Sequence, residues 1–142
     1  MPIIIDGWNF IRNRCSDISD DACDALESAR ALMLYLADFQ KNHNDPITVV
    51  FDSAREFLDV GHKGSAKLKM VPAKDADSYI KRFIEKIPDR QRRNVRVVSS
   101  DKEIFYYAKS LYAVPIRCED FWEKLKSDGR SRGEFEEDED RS

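Results

Sequence analysis

The chain begins with Pro2-Ile3-Ile4-Ile5-Asp6-Gly7-Trp8-Asn9, in which a short apolar run ends at an aspartate. Acidic residues follow three later apolar runs as well: Asp52 and Asp101 close two of them, and Asp75 and Asp77 come after the third. Apolar runs without polar alternation are typical of parallel strands, and ligands bind outside the carboxyl ends of such strands. We therefore expect these aspartates to converge on one cleft.

Apolar runs and helical stripes alternate along the chain. The predicted strands are Ile3 to Asp6, Ile47 to Asp52, Leu68 to Val71, Val95 to Ser100 and Val114 to Arg117. The predicted helices run from about Ala22 to Phe39, from Ala76 to Ile87, from Ile104 to Leu111 and from Phe121 to Lys126. Such alternation predicts an α/β fold built from parallel βαβ units with right-handed crossovers.

Length and charge divide the chain into a body and a tail. A chain of 142 residues fits one domain, which we place at residues 1–127. Residues 128–142 carry seven acidic and three basic residues, and we expect this acidic tail to be disordered. Within the body, residues 1–54 have a net charge of -5 and residues 55–96 a net charge of +6. An acidic pocket beside a basic flank suits a metal-dependent enzyme that acts on a polyanion.

Composition also excludes several classes of protein. The three cysteines are an odd number without metal-ligand spacing, which argues against a disulfide framework or a zinc site and favours a reducing, cytoplasmic setting. No secretory signal follows Met1, and no apolar run approaches the roughly 20 residues that span a bilayer, so we expect no membrane partner. The absence of glycine-rich phosphate-binding motifs argues against a nucleotide cofactor.

The aspartates point to metal chemistry. Carboxylates that share a cleft raise one another's pKa unless a cation is bound, and hard oxygen ligands of this kind select Mg²⁺ or Mn²⁺. Asp6 and Asp101 stand at predicted strand ends, and Asp77 begins the inward face of a predicted helix. One ion, or a pair about 3.5 to 4 Å apart, would activate a water and stabilise the leaving oxygen of a phosphodiester.

Three nearby residues have two interpretations each. Asp52 is either a further ligand or a turn former that bonds through its own side chain. Asp75 is either a ligand or the N-cap of the helix that follows, and capping is the commonest use of Asp at such a place. Asn9 either orients a water, a ligand carboxylate or a substrate phosphate, or makes a local turn bond.

Four motifs, taken in order, resemble the YacP-like NYN family of PIN-like nucleases. They are Ile3-Ile4-Ile5-Asp6-Gly7-Trp8-Asn9, Val49-Val50-Phe51-Asp52, Lys74-Asp75-Ala76-Asp77-Ser78-Tyr79-Ile80 and Val97-Val98-Ser99-Ser100-Asp101. The resemblance covers nearly all of residues 1–126 and implies a PIN-like Rossmannoid three-layer fold, with a mostly parallel sheet of strand order 3-2-1-4-5. It also implies a metal-dependent endoribonuclease, since members of this family are ribonucleases and some are associated with the ribosome.

The resemblance also implies site residues. Carried over by position, the catalytic residues are Asp6, Asn9, Asp77 and Asp101, and the metal ligands are Asp6, Asp52, Asp77 and Asp101. The chain departs from the family pattern at Trp8, where Tyr is usual, at Ser53, where Gly often stands, and at Ser78, where a second consecutive Asp is common. The serine at position 78 bears on how many metal ligands the site has.

A basic segment and two other side chains are the predicted RNA contacts. They are Arg55, Lys63, Lys67, Lys69, Lys74, Trp8 and Ser100. The cations lie in the connection after the second strand and would neutralise phosphates, and Trp8 would stack on a base or pack on the first helix. Ser100 would donate to a carboxylate or a phosphate oxygen, or its hydroxyl bonds the next backbone amide. The Arg90–Arg93 turn should lie at the opposite edge of the sheet, as a docking patch or a solvated turn.

Two functions from different classes remain. The first is an endoribonuclease that uses Mg²⁺ or Mn²⁺ and acts on RNA, with mRNA at the ribosome as one substrate. The second is an RNA- or ribosome-binding module of the same fold that no longer turns over, which Ser78 and Trp8 motivate.

Overall fold

The computed structural model describes the backbone of residues 2–18, 25–52 and 67–133, and the side chains of residues 2–13, 28–51 and 67–127. Its strands are β1 (Ile3–Asp6), β2 (Ile47–Asp52), β3 (Leu68–Ala73), β4 (Arg96–Val98) and β5 (Val114–Ile116). Its helices are α1 (Gly7–Ile18), α2 (Ala25–Phe39), α3 (Ala76–Glu85), α4 (Lys102–Ser110) and α5 (Cys118–Gly133), with a 3₁₀ helix at Asp89–Asn94. No helix in these ranges is long and apolar enough to cross a membrane.

The five strands form one parallel sheet. Their order is β3-β2-β1-β4-β5, so β1 lies in the centre between β2 and β4. This confirms the predicted fold class and strand order. Because all pairs are parallel, the carboxyl ends of the strands share one edge, which we call the carboxyl edge, and their starts share the other, the amino edge.

Helices cover both faces of the sheet. Ile3 and Ile5 of β1 point to one side, where they pack in a core with α1, α2 and α5. Ile4 points to the other side, into a core with α3 and α4. Successive side chains of a strand point to opposite faces, so a fully apolar β1 requires cover on both. The result is a three-layer fold.

The structure differs from the sequence prediction at several helix and strand ends. Helix α1 was not predicted: it starts directly after β1 and buries Phe10 and Ile11. Helix α5 begins at Cys118 and runs to Gly133, so the first six residues of the predicted disordered tail have helical backbone, and residues 134–142 lie outside the described residues. Strand β3 continues through Pro72, which an edge strand tolerates because half of its amide groups need no partner.

Arg92 fixes the end of helix α3. Its guanidinium donates hydrogen bonds to the carbonyls of Ile84 (3.3 Å), Ile87 (3.0 Å) and Glu85 (3.1 Å) and pairs with Asp89 at 2.9 Å. The last carbonyls of a helix have no partner within the helix, so these bonds satisfy them. Arg92 thereby holds the helix whose other end carries Asp77.

The Arg92→Ala variant is expected to lower the free energy of unfolding by about 1.5 to 3 kcal/mol, because it removes charged hydrogen bonds from a nearly buried helix end. Urea denaturation measures the change. The neighbouring Arg93→Ala is the matched control, since Arg93 is exposed and should shift stability by less than about 0.5 kcal/mol. Equal effects in the two variants would contradict the capping role.

Candidate metal and nucleic-acid site

Three carboxylates come to the carboxyl edge from three parts of the chain. Asp6 ends the central strand β1, Asp77 lies in the first turn of α3, and Asp101 precedes α4. Asp77 and Asp101 each raise the pKa of Asp6 by their charge, and Asp101 raises the pKa of Asp77. The three groups are therefore close enough to interact electrostatically.

Asp6 is the most perturbed carboxyl of this cluster. Its side chain is only 6% exposed, and loss of solvent on burial is the main reason why its pKa rises from 3.8 to about 6. The backbone N–H of Asn9 donates to Oδ1 of Asp6 at 3.5 Å, and this bond and the positive charge of Arg12 both lower the pKa and so partly oppose its rise. A buried carboxyl with a raised pKa and two acidic neighbours marks a candidate functional site.

Asp75 and Asp77 have different roles. Asp75 is the N-cap of α3: it accepts from the Asp77 N–H at 3.1 Å and from the Ser78 hydroxyl at 2.9 Å. The carboxylate of Asp77 makes no hydrogen bond or ion pair with any other described residue, and burial followed by the charge of Asp101 raises its pKa. Asp75 thus builds the helix start, and Asp77 presents an unused carboxylate.

Asp101 combines a structural bond with a free oxygen. It is the N-cap of α4, and its Oδ1 accepts from the Glu103 N–H at 2.8 Å and from the Ile104 N–H at 3.4 Å. Its own N–H donates to Ser99 Oγ at 3.1 Å. Among the described residues, Oδ2 has no partner. One oxygen therefore fixes the side chain while the other remains available.

Asn9 joins three elements of the site. Its Oδ1 accepts from the Ser100 N–H at 2.8 Å, from Ser99 Oγ at 3.4 Å and from the Cys118 thiol at 3.3 Å. It therefore ties α1 to the loop that delivers Asp101 and to the start of α5. This long-range contact of Oδ1 is not among the interpretations that the sequence suggested for Asn9, and the role of Asn9 toward a water, a ligand carboxylate or a substrate phosphate stays a prediction.

The Ser100 hydroxyl is occupied within the protein. It donates to Glu119 Oε1 at 3.1 Å and accepts from the Cys118 N–H at 3.0 Å. These bonds anchor the start of α5 beside the Asp101 loop. The structure thus shows the predicted bond from Ser100 to a carboxylate, while its contact with RNA stays a prediction.

The described lysines among the predicted RNA contacts do not lie together. Lys74 is exposed at the carboxyl edge, next to the α3 N-cap, whereas Lys67 precedes β3 at the amino edge and bonds Asn44. Lys69 is exposed on the edge strand β3, opposite Thr48. Arg55 and Lys63 lie outside the described residues, as does the side chain of Asp52. The prediction that Lys67 lies with the other RNA contacts at the carboxyl edge is therefore corrected, because a residue that precedes a parallel strand cannot reach the carboxyl end of that strand.

Trp8 is half-buried beside the site. Its ring meets the ring of Phe51 edge-on, with 4.9 Å between the centroids, and packs against the core under α1. The structure therefore favours the packing role over base stacking. Gly7 makes this packing possible, since a Cβ at that position would stand 2.6 Å from Cε1 of Phe51.

Sequence reasoning missed three charged residues near the site. Arg12 acts on the pKa of Asp6, and Glu103 acts on the pKa of Asp77 and forms an ion pair with Lys81 at 2.6 Å. Glu119 accepts the Ser100 hydroxyl. Arg12 stands six residues after Asp6 and three after Asn9, a spacing that would have revealed it had α1 been predicted.

The donor chemistry suits a hydrated divalent cation. Within the described side chains, no group of three or more His, Cys, Asp or Glu residues is arranged to hold a metal ion directly. Mg²⁺ usually keeps several waters and takes only one or two protein carboxylates. Asp6 and Asp77, with the free oxygen of Asp101, offer that kind of incomplete ligand set. A cation would offset the burial and the neighbouring negative charges that raise the pKa of Asp6 and of Asp77.

An acidic carboxyl edge on a parallel sheet of this order is the arrangement that the PIN-like nuclease fold predicts. The model of the YacP-like NYN domain family matches residues 3–141, and the chain belongs to this family.

Two solved structures share the fold. A structure described as Rae1 (YacP) from Bacillus subtilis aligns with a TM-score of 0.73 at 16% identity, covering 97% of this chain and 80% of that one. Its W164L mutant aligns with a TM-score of 0.69 at 17% identity, covering 92% and 77%. No curated protein matches the chain significantly.

Proposed function

We propose that the protein is an endoribonuclease that depends on Mg²⁺ or Mn²⁺ and hydrolyses RNA phosphodiester bonds. The observation that carries the proposal is the buried Asp6, whose pKa of about 6 reflects burial and the nearby charges of Asp77 and Asp101. A buried carboxylate beside two further negative charges is costly to maintain unless it serves a cation. Membership of a family with a nuclease fold supports the same chemistry.

The residues of the cluster would divide the work. Asp6, Asp77 and the free oxygen of Asp101 would hold the ion, which when bound lowers the pKa of water and stabilises charge on a phosphate. Asp6 would bind the ion in its ionised form, since a protonated carboxyl is a poor ligand, so metal binding would weaken as the pH falls below about 6. Asn9 keeps the Asp101 loop in place, and Lys74 is an exposed cation at this edge that would neutralise a phosphate of the substrate.

We propose mRNA at the ribosome as the substrate. The proposal rests on the family resemblance, in which some members are ribosome-associated, and on the basic connection between β2 and α3. Ribosome binding can be measured by co-sedimentation of the purified protein with ribosomes, with and without bound mRNA. Cleavage of free RNA at the same rate as ribosome-bound mRNA would contradict the ribosome as a platform.

The second candidate is an RNA-binding module of this fold without turnover. Ser78 favours it, because this position commonly carries a second carboxylate in the family. Here its hydroxyl donates to Asp75, the N-cap of α3, and offers no negative charge to a metal ion. Such a protein would bind RNA and show no cleavage with any divalent ion.

The Asp101→Asn variant tests the proposed function. Asn is as good an N-cap as Asp, so α4 should remain folded, while loss of the negative charge should lower the RNA cleavage rate about 10- to 100-fold in Mg²⁺ or Mn²⁺. Gel assays on labelled RNA give the rate, and circular dichroism checks the fold.

Asp38→Asn is the matched control. Asp38 lies on α2, which contributes no residue to the acidic cluster, and it forms an ion pair with the exposed Lys41. Undiminished cleavage in Asp101→Asn would overturn the assignment of Asp101. RNA binding by the wild type without cleavage in either metal would instead support the non-catalytic module.

A further inference from the structure

A second basic surface lies at the amino edge of the sheet. It is a cleft of about 460 Å³ lined by Asp89, Arg90, Arg93, Lys109, Tyr112 and Ala113. The 3₁₀ helix before β4 supplies the arginines, and the end of α4 with the turn before β5 supplies the lysine and the tyrosine. We call it the amino-edge cleft.

The cations of the amino-edge cleft have no acidic partner. Arg90, Arg93 and Lys109 are exposed, and none forms an ion pair with another residue in the described part of the chain. The acid of the cleft, Asp89, is already neutralised by Arg92 at 2.9 Å. Three positive charges therefore face one concavity without compensation, although the whole chain has a net charge of -3. Such a patch attracts a polyanion.

Tyr112 is held at the rim in an unusual conformation. Its φ is 69°, and its side chain is 78% exposed. The turn is fixed by the Tyr112 N–H to Lys109 O bond and the Ala113 N–H to Ala108 O bond, both 3.0 Å. Glycine usually takes this left-handed position at a helix end, because any side chain strains it. The ring of Tyr112 is exposed and has no ring partner among the described residues, so it adds little to the packing of the fold. A strained backbone that holds such a ring in place indicates that the ring contacts a ligand.

We infer that the amino-edge cleft binds a single-stranded segment of RNA, with phosphates on Arg90, Arg93 and Lys109 and a base stacked on Tyr112. Cations beside an exposed aromatic ring are the usual means of holding single-stranded nucleic acid. The inference rests on the proposed function for its choice of RNA. Residues 95–101, which join the two edges, span about 20 Å when extended, so a long RNA could occupy the cleft and the acidic site together.

RNA binding without cleavage tests the inference. The full chain is titrated against a fluorescein-labelled single-stranded RNA of about 20 nucleotides in EDTA, and anisotropy gives Kd at several salt concentrations. The triple variant Arg90→Gln, Arg93→Gln, Lys109→Gln should raise Kd at least tenfold at low salt. It should also reduce the slope of log K against log salt by about 2, since each phosphate contact on a single strand contributes about 0.7.

The Tyr112→Gly variant gives a second test with two effects of opposite sign. Removing the ring should weaken RNA binding about 5- to 100-fold, while relief of the strained φ should raise Tm by about 2 to 4 °C. Lys124→Gln is the control, because Lys124 is exposed on α5, which contributes no residue to the cleft. It should leave Kd within about twofold.

The outcomes separate this inference from the proposed function. If the wild type never cleaves RNA and the cleft variants lose RNA binding, the result supports the cleft and overturns the proposed nuclease activity. Unchanged RNA binding in both cleft variants, when the wild type cleaves RNA and Asp101→Asn does not, would overturn the cleft alone. A lower Tm in Tyr112→Gly would overturn the strain argument. If the cleft variants lose binding to poly-L-glutamate as strongly as they lose binding to RNA, the choice of RNA as the ligand is overturned.

Discussion

The Asp6→Asn variant is expected to be more stable than the wild type and almost inactive. Removing the central carboxylate of the cluster should lower metal-dependent RNA cleavage about 100- to 1000-fold, which is typical for loss of a central electrostatic group in an active site. In metal-free buffer at neutral pH, the same change should raise the free energy of unfolding by up to about 3 kcal/mol. The gain arises because Asn is neutral and avoids the cost of ionising a buried Asp6.

The pH dependence of the stability gain follows from the pKa of Asp6. In the folded protein the pKa is about 6, and in the unfolded chain it returns to about 3.8. Below the lower pKa both states are protonated, so Asp6 costs nothing. As the pH rises from about 4 to 6, the unfolded chain loses its proton first and the wild type becomes less stable relative to the variant. Above pH 6 the full difference remains.

Urea denaturation in EDTA at pH 4 and pH 7.5 measures this difference, and cleavage assays on the same preparations measure activity. Asp38→Asn serves again as the control, with a small and pH-independent effect. A variant that is less stable than the wild type at pH 7.5 would contradict the raised pKa. Retained cleavage would contradict the central role of Asp6.

The Gly7→Ala variant is expected to lower the free energy of unfolding by about 1 to 3 kcal/mol and to reduce cleavage. The new Cβ would stand 2.6 Å from the ring of Phe51, which is 1% exposed and has no room to move away. Overpacking of a filled core has a cost of this size. Helix propensity alone would give the opposite sign, because Ala is favoured over Gly inside a helix.

A double variant distinguishes the clash from other causes. Phe51→Leu makes space for the added methyl, so Gly7→Ala should cost much less in that background than in the wild type. Urea denaturation of the four proteins gives the coupling energy, and cleavage assays show whether the loss of activity follows the clash. Equal costs in both backgrounds would contradict the contact with Phe51.

The sheet could be predicted from the sequence because its strands are short, mostly apolar runs, and two of them, Ile3 to Asp6 and Ile47 to Asp52, end in an aspartate. Helix α1 could not, because it follows β1 without a turn and soon enters the polar stretch from Asn13 to Asp21. The family resemblance supplied the strand order, since apolar patterns do not encode neighbours in a sheet. The matching family model and the observed topology agree with it.

The site was predictable only in its acidic members. Asp6, Asp77 and Asp101 stand at positions that strand ends and helix starts define. The roles of Asn9 and Ser100 depend on contacts with residues far along the chain, such as the bond between Asn9 and Cys118, which are 109 positions apart. The neighbours Arg92 and Arg93 show the same limit: one caps α3 and the other is exposed, because they face different directions in a 3₁₀ helix.

The three-way contact at Asn9 has a consequence for when the protein becomes competent during its synthesis. Asn9 emerges early in synthesis, and the groups that bond it, at positions 99, 100 and 118, emerge later. A growing polypeptide that lacks Cys118 cannot complete this junction, so the start of α5 is not yet tied to α1. The acidic edge would thus be fully assembled only after the start of α5 has been made.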